Sequence, residues 1–337
     1  NAAQLGAMEA GDIARLAPPD IAATTTRALT GLASDLFAGL STSQIGALSA
    51  PQVRVLSTDH IAALSTNQIA ALTTGAIAGL TSAQIDAMSA EQIGAFTSAQ
   101  MGALTRAQIA AMGTDDIAAL SNADIGAIST KSITGLSPAT MAELDDAQLG
   151  ALTSTQIGAL STAQVGALPA SQRGSLATQQ VAALSARQVA ALTPSQITGL
   201  EGKLGSLSER AIPGLSTDQI AAMSPSQIGE MTSTQVAALT ARQVSSLTSE
   251  QITALDTKLA SISARAITGL TTSQISAMSA TEIGAFSETQ MAALKATQLA
   301  AVAAEDIAEL STADVAAISN RSISGLSTAA VVELDAT

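Results

Sequence analysis

The chain contains no cysteine, tryptophan or tyrosine, and only three phenylalanines and one histidine. Without cysteine there are no disulfides, no thiol catalysis and no thiolate metal sites. Charged residues make up only 12% of the chain, about half the usual share. Hydrophobic residues reach 47% but aromatic residues only 1%, so we expect a core that is thin and built from Ile, Leu, Val and Ala. The surface is predicted to consist mostly of Ser, Thr, Ala and Gln.

Positive charge is also scarce: 14 basic residues are scattered among 27 acidic ones, which gives a net charge of −13. This balance argues against nucleic acid or an anionic membrane as a partner, since both require a basic surface. No run approaches the roughly 18 apolar residues that cross a bilayer, and no signal peptide is visible. The chain begins at Asn1 and lacks polar capping repeats, so we expect an excerpt of a longer array or a head-to-tail polymer.

What the chain does have is one eight-residue word, Leu-[Ser/Thr]-x-x-Gln-Ile-x-Ala, repeated as 42 octads. Of 24 glutamines, 23 stand immediately before an aliphatic anchor position, and a second apolar column follows three residues later. Only two joins between anchors, Ile197 to Leu204 and Ile252 to Leu259, are seven residues long. The sequence therefore predicts a single continuous repeat array over residues 1–337.

Each octad carries a helix-start signal, for which residues 64–69 serve as the example. Ser65 is a natural N-cap, and Gln68, three residues later, completes a capping box. Leu64 and Ile69 then occupy the two positions of a hydrophobic staple. Proline stands at the predicted first helical position, where it is tolerated, at Pro138, Pro194 and Pro225. Aspartate replaces the Ser/Thr cap at Asp145, Asp256 and Asp335.

One long helix is excluded, because eight residues at about 100° each rotate the apolar stripe by roughly 80° per octad. A β-solenoid is the alternative, but apolar residues spaced by three break the period of two, and Ala and Gln are poor strand formers. Each octad is thus predicted to form a helix of about one and a half turns. Burying two aliphatic side chains contributes about 3–6 kcal/mol, whereas ordering eight residues costs roughly 12 kcal/mol. The fold predicted is an all-α solenoid of very short, stacked helices.

Two columns of the octad carry further information. The residue before the second apolar position is Ala, Gly or Ser in 36 of 42 octads, so we expect something to pack closely there. The glutamine column fails in consecutive pairs, three of which follow two octads with aspartate. We offer two hypotheses for the pairs, a superhelical period near seven or eight octads or a lateral contact site; inheritance by block duplication stays open. The pairs are Ala28 and Leu36, Ser132 and Thr140, Lys203 and Ala211, Lys258 and Ala266, and Ser322 and Ala330.

No residue is predicted to be catalytic, to bind a cofactor or to bind a metal. We interpret His60, which replaces a column glutamine, as a solvated helix-start residue rather than a general base. Arg173, in the aliphatic column beside Pro169, is interpreted as a local bend or exposed edge, with a binding spot as the alternative. The acidic clusters lack the ligand spacing of a calcium loop; they are Asp115–Asp116, Glu143 with Asp145 and Asp146, Glu305–Asp306, and Glu333 with Asp335.

As a whole the sequence resembles the Leu-[Ser/Thr]-x-x-Gln-Ile-x-Ala octad arrays of very large bacterial secreted and surface proteins. The resemblance implies an extracellular stalk, adhesin extender or fibre. We therefore predict a non-enzymatic structural protein at the cell surface that forms or extends a filament and associates with itself. The alternative is a repeat-built binding surface that presents Ser, Thr and Gln rows to a glycan, ice or a host surface.

Overall fold

The computed structural model describes residues 1–169, 172 and 174–334, and within these ranges the regular structure is helical, with no strand. The α-helices have four to seven residues, about one per octad, as the capping signals predict. The fold is an all-α solenoid, and the β-solenoid alternative is not supported. The chain divides into two compact units, unit 1 (Asn1–Ser175) and unit 2 (Leu176–Thr337).

The α-helices of unit 1 are Ala2–Gly6, Ala10–Ile13, Pro18–Ala23, Thr26–Leu29, Ser34–Ala38, Thr42–Ile45, Ala50–Arg54, Thr58–Ala62, Thr66–Ala71, Thr74–Ile77, Ser82–Asp86, Ala90–Gly94, Ser98–Ala103, Arg106–Ile109, Thr114–Ala118, Asn122–Ala127, Pro138–Glu143, Asp146–Ala151, Ser154–Ala159 and Thr162–Ala167. A 3₁₀ turn forms at Ile133–Gly135.

The α-helices of unit 2 are Thr178–Ala182, Ala186–Ala190, Pro194–Thr198, Thr217–Ala222, Pro225–Gly229, Ser233–Ala237, Ala241–Val244, Ser249–Leu255, Ala264–Ile267, Thr272–Ser276, Ala280–Gly284, Glu288–Ala293, Ala296–Leu299, Ala304–Ala308, Thr312–Ala317 and Thr328–Leu334. Its 3₁₀ helices are Leu204–Ser206, Ile212–Gly214, Asp256–Ser261 and Ile323–Gly325.

The helices begin at the predicted capping boxes. Ser65 Oγ accepts a hydrogen bond from the backbone N–H of Gln68 at 3.3 Å, and Gln68 Oε1 accepts one from the N–H of Ser65 at 2.7 Å. The three prolines each open a helix, and Asp145 caps one, as predicted. The prediction for Asp256 is wrong, because it follows the last residue of helix Ser249–Leu255 instead of capping a new one. Asp335 lies outside the described residues.

The two apolar columns form the core of each unit. Ile69 in the anchor column and Leu64 in the second column are 0% and 4% exposed. The methionines that occupy these columns are buried as well, as core positions require; they are Met88, Met101, Met112, Met141, Met278 and Met291. The core is therefore a narrow double row of aliphatic side chains.

One turn of the solenoid contains between three and four octads. Helix Thr66–Ala71 contacts helix Thr42–Ile45, three octads earlier. In the same octad Gln68 donates a hydrogen bond to the carbonyl of Leu40, four octads earlier. As the length of a single turn, the predicted period of seven or eight octads is wrong; seven octads correspond to about two turns.

The two seven-residue joins have a distinct backbone. Gly202 (φ 73°) lies in the first join and Asp256 (φ 48°) in the second, and these are the positive φ values of the described residues. Each join is one residue shorter than an octad and contains one residue with a positive φ, a conformation that glycine adopts without steric cost. The missing residue is absorbed inside one turn, so the next octad continues the pattern.

Candidate functional site: the glutamine columns

The column glutamines are buried, so the expectation that glutamine covers the surface is wrong. Gln156 is typical, with 1% of its surface exposed. The glutamines that share this burial are Gln44, Gln52, Gln68, Gln84, Gln92, Gln100, Gln108, Gln148, Gln164, Gln180, Gln188, Gln196, Gln219, Gln227, Gln235, Gln243, Gln251, Gln274, Gln290 and Gln298. Gln179, which stands outside the column, is exposed.

Gln156 shows how the buried amide is used. Its Oε1 accepts a hydrogen bond from the N–H of Thr153 at 2.7 Å, which caps the start of its own helix. Its Nε2 donates to the carbonyls of Ile125 at 3.0 Å and Ile128 at 2.7 Å, at the end of a helix four octads earlier. Carbonyls at a helix end have no partner within the helix. One side chain therefore caps the start of one helix and the end of another, and joins two successive turns.

This bridge recurs along both units at constant spacing, with Nε2 donating to the carbonyls 31 and 28 residues earlier. The glutamines that donate to both carbonyls at this spacing are Gln44, Gln52, Gln84, Gln92, Gln100, Gln108, Gln148, Gln156, Gln164, Gln235, Gln243, Gln251, Gln290 and Gln298. Across the seven-residue joins, the bridges of Gln219 and Gln274 reach back 30 and 27 residues, and Gln227 donates to the carbonyl of Thr198, 29 residues earlier.

Sequence reasoning found the capping half of this bridge and missed the donating half. A signal for the second half was present, because a capping box accepts Glu as readily as Gln. Yet the column holds 23 glutamines and a single glutamate, Glu282. The carboxylate of Glu282 accepts from the N–H of Ser279 at 2.8 Å, but a carboxylate has no hydrogen to donate to carbonyls. Burial raises the pKa of Glu282, and hydrogen bonds from Ser279 and Thr253 lower it further than burial raises it.

His60 performs the same double role as glutamine. Its Nδ1 faces the N–H of Ser57 at 3.3 Å, and its Nε2 lies 2.7 Å from the carbonyl of Leu32, 28 residues earlier. This geometry requires the tautomer that carries hydrogen on Nε2, with Nδ1 as acceptor. The ring is 8% exposed and meets Phe37 edge-on at 5.3 Å. The interpretation as a helix-start residue is confirmed, but the expectation that it is solvated is wrong.

Lysine takes over the donating role beside the seven-residue joins. Lys203 Nζ donates to the carbonyl of Leu176 at 2.7 Å. Lys258 Nζ donates to the carbonyls of Gly229 and Met231, the latter at 3.0 Å. An ammonium group carries three hydrogens but no acceptor, so lysine joins two turns without capping its own helix.

Where the column residue is Ala or Ser, the two turns approach each other directly. In octad 73–80, Ala76 replaces glutamine, and a Cβ on Gly79 would lie 2.7 Å from Ala50 Cα of the previous turn. Ser132 still reaches the carbonyl of Leu104 with its short hydroxyl, at 2.6 Å. The pairs of a small column residue with a glycine three positions later, pressed against the previous turn, are Ala28 with Gly31, Ala76 with Gly79, Ser132 with Gly135, Ala211 with Gly214, Ala266 with Gly269, and Ser322 with Gly325. The close packing predicted for the small-residue column is confirmed at these six glycines.

Aspartate in the column has no hydrogen to donate to the carbonyls of the previous turn, and Asp116 keeps only the capping half of the bridge. Asp116 Oδ2 accepts from the N–H of Gly113 at 2.8 Å. Burial raises the pKa of Asp116, and repulsion from Asp115 and Asp86 adds to this, although the bond from Gly113 opposes it. Three blocks of four successive octads lack a column glutamine, and since four octads exceed one turn, each block is a full turn that donates no glutamine bridge to the turn before it. Their column positions are residues 12–36, 116–140 and 306–330.

Arg173 lies outside the described residues. The described part of the chain contains no group of three or more His, Asp or Glu side chains arranged to hold a metal ion. None of the helices described is long and apolar enough to cross a membrane.

The geometry defines an all-α solenoid protein built from octad repeats, and a comparison with known families finds a similar repeat in part of the chain. The family model of the ALTTAQ repeat matches residues 38–74, 69–106, 77–114, 109–146 and 141–178. Residues 38–178 are therefore similar to the repeats of this family, and the resemblance to octad-repeat arrays is confirmed for this part of the chain. None of the curated proteins compared with the sequence matches it.

Proposed function

We propose that the chain is a non-enzymatic structural repeat protein that forms or extends an extracellular bacterial filament, stalk or adhesin. The observation that carries this proposal is the bridging by the column glutamines. The amide of Gln156, like most others in the column, uses its acceptor to cap its own helix and its two hydrogens to hold one turn to another. The amide groups of the repeat are thus used in hydrogen bonds that hold the stack together. Each further octad lengthens the array by one repeat.

The surface location is part of this proposal and rests on composition. Acidity, a low aromatic content and the abundance of Ser and Thr suit a protein outside the cell. Self-association is proposed because one stacked array of repeats can continue into a second copy of the same repeat.

Negative-stain microscopy of the full chain and of a tandem duplicate tests the proposal. We expect rods or filaments, with the particle length about doubled in the duplicate if repeats add linearly. Compact particles whose dimensions do not grow with the number of octads would refute it. Hydrogen exchange on the same samples reports whether both chains are folded.

A second candidate function is a binding surface made of hydroxyl rows. Ser41, Thr42 and Ser43 are all exposed, and the equivalent positions of many octads carry exposed Ser or Thr. Since the glutamines are buried, the rows would present hydroxyl groups alone to a glycan, ice or host surface. Ice-recrystallisation and glycan-array assays test this candidate, and no signal in either would remove it.

A further inference from the structure

The scarce basic residues of this acidic chain form recurring pairs. In unit 2, Arg242 and Arg265 line one groove of about 500 Å³, and Lys295 and Arg321 line another of about 670 Å³. Their walls are otherwise small residues such as Ala237 and Ala292. The expectation that the basic residues are scattered is therefore wrong for these positions.

Two further pairs occupy the same place in the fold. Helix Arg106–Ile109 packs against the turn Ile133–Gly135 that follows Lys131. Helix Ala186–Ala190 packs against the turn Ile212–Gly214 that follows Arg210. In each case the column residue is Ala or Ser, and the following glycine is pressed against the backbone of the earlier octad. The four dibasic pairs are Arg106 with Lys131, Arg187 with Arg210, Arg242 with Arg265, and Lys295 with Arg321.

These eight side chains are exposed, and none forms an ion pair with a carboxylate among the residues that the structure describes. Lys295 Nζ donates to the carbonyl of Thr268 at 2.8 Å, which does not neutralise its charge. The chain has 27 acidic residues for 14 basic ones, so intramolecular partners are plentiful. Eight uncompensated cations at four equivalent places make an attractive surface for anions.

The duplicated blocks retain the charge while the residues change. Residues 76–145 recur as residues 266–335, with an offset of 190. In the second block Arg321 takes the place of Lys131. The position of Arg106 is occupied by Ala296, and a positive charge stands one position earlier, at Lys295. Copying alone would have kept the residue and its position, so the retained feature is a second cation.

We propose that the dibasic pairs are contact sites for exposed carboxylates of a second copy of this chain. Charge complementarity selects this partner, because the same chain carries a net charge of −13 with carboxylates on its exposed face. Asp86 and Asp115 are exposed and lie in one acidic cluster with Asp116. The inference rests on the proposed self-association and specifies its chemistry.

Spacing supports lateral contact in unit 2. The arginines of the pairs Arg187–Arg210 and Arg242–Arg265 are 55 residues apart. This distance is seven octads less one residue, or about two turns of the solenoid. These two pairs therefore lie on the same side of unit 2, where they can engage a neighbouring copy together and gain from multivalency.

The test compares self-association of full-length variants by sedimentation velocity at about 20 mM and about 300 mM salt, where screening differs strongly. The variant with Arg242→Gln, Arg265→Gln, Lys295→Gln and Arg321→Gln should associate at least about tenfold more weakly at low salt. Asp86→Asn with Asp115→Asn should also weaken association. The matched control, Arg15→Gln with Arg54→Gln, removes two positive charges outside the dibasic pairs. It is compared with the variant Arg242→Gln with Arg265→Gln, which removes two positive charges from one pair. Urea unfolding confirms that these exposed substitutions leave the fold intact.

Each outcome has a definite meaning. Assembly that is insensitive to salt and to the groove substitutions overturns this inference while leaving the proposed function standing. A wild-type chain that stays monomeric under all conditions removes both. Binding of heparin, used as a polyanion probe, that depends on the dibasic pairs while self-association does not would assign them to a polyanion and would overturn the proposal of a second copy.

Discussion

A single amide side chain links the start of one helix to the end of another, so residue-scale chemistry sets the stability of the stack. In Gln156→Glu the carboxylate keeps its acceptor role but faces the carbonyls of Ile125 and Ile128 without a hydrogen. We expect a loss of about 3–5 kcal/mol at neutral pH, measured by urea unfolding. The matched control, Gln179→Glu, changes an exposed glutamine outside the column and should be near neutral. Equal losses for both variants would contradict the bridging role.

The tight glycines give a second residue-scale prediction within one octad. Gly79→Ala places a Cβ against Ala50 of the previous turn, and we expect destabilisation of about 1–3 kcal/mol. Gly75→Ala places its Cβ in open space near Thr73 and should stabilise its helix by about 0.5–1 kcal/mol. Thermal unfolding of the two variants should move in opposite directions, and a common direction would show that the close approach at Gly79 is unimportant.

What the sequence could reveal at this scale was the local half of the pattern. Ser65 and Gln68 are three residues apart, so their capping box follows from spacing alone. The carbonyl that accepts from Gln68 lies 28 residues away, and helix-capping patterns, which relate residues a few positions apart, cannot predict such a partner. For the same reason the burial of His60 was missed, since its cover comes from Leu32 in another turn.

At the scale of the helical element, an aspartate in the glutamine column leaves its helix without the hydrogen bonds that a glutamine donates to the previous turn. Asp116→Gln keeps the bond from Gly113 and supplies hydrogens to the carbonyls of Ile85 and Met88. We expect a gain of about 1–3 kcal/mol at neutral pH. Because the pKa of Asp116 is raised in the folded chain, the stability lost to its ionisation grows as the pH rises above about 4. The gain should therefore be smaller at about pH 3 than at pH 7.

Asp115→Asn is the control for this prediction, since it removes a neighbouring charge without building a bridge. Its gain should be well below that of Asp116→Gln in the same urea titrations. Equal gains would mean that charge repulsion alone accounts for the effect.

The joins are the second test at the element scale. Asp256 adopts φ 48°, a region that costs a non-glycine residue about 1–3 kcal/mol. Asp256→Gly should stabilise the chain by about 1 kcal/mol, whereas Gly202→Ala at the other join should destabilise it by a similar amount. Thermal unfolding that shows both joins indifferent to these changes would exclude left-handed backbone as the requirement.

The number of octads per turn could not be read from one octad, because it depends on how neighbouring turns fit together. The frame slips at residues 197–204 and 252–259 were visible in the sequence, yet their left-handed residues were not. Asp256 was read as a helix cap because it follows a second-column leucine, Leu255. The tertiary arrangement of the join overrode that local signal.

At the scale of the whole molecule, the glutamine bridges are unevenly distributed. In unit 1, the turn with column residues Asp116, Asp124, Ser132 and Thr140 has no glutamine bridge to the turn before it. We expect backbone amides at this boundary to exchange with solvent faster than those of residues 148–164, which are bridged. Hydrogen exchange with mass spectrometry measures the difference. Uniform protection along unit 1 would show that glutamine bridges do not limit local opening.

The direction of the glutamine bridges has one more consequence. In every bridge described, the donor reaches back toward the N-terminus, as Gln156 does to Ile128 and Gln298 to Ile267. When a chain emerges N-terminus first from a ribosome or a secretion pore, the carbonyls that accept from the glutamine of a new octad have therefore already emerged. Each new octad can pack on the preceding turn at once. Folding of such an array can keep pace with its delivery, and no part of it has to wait for the far end.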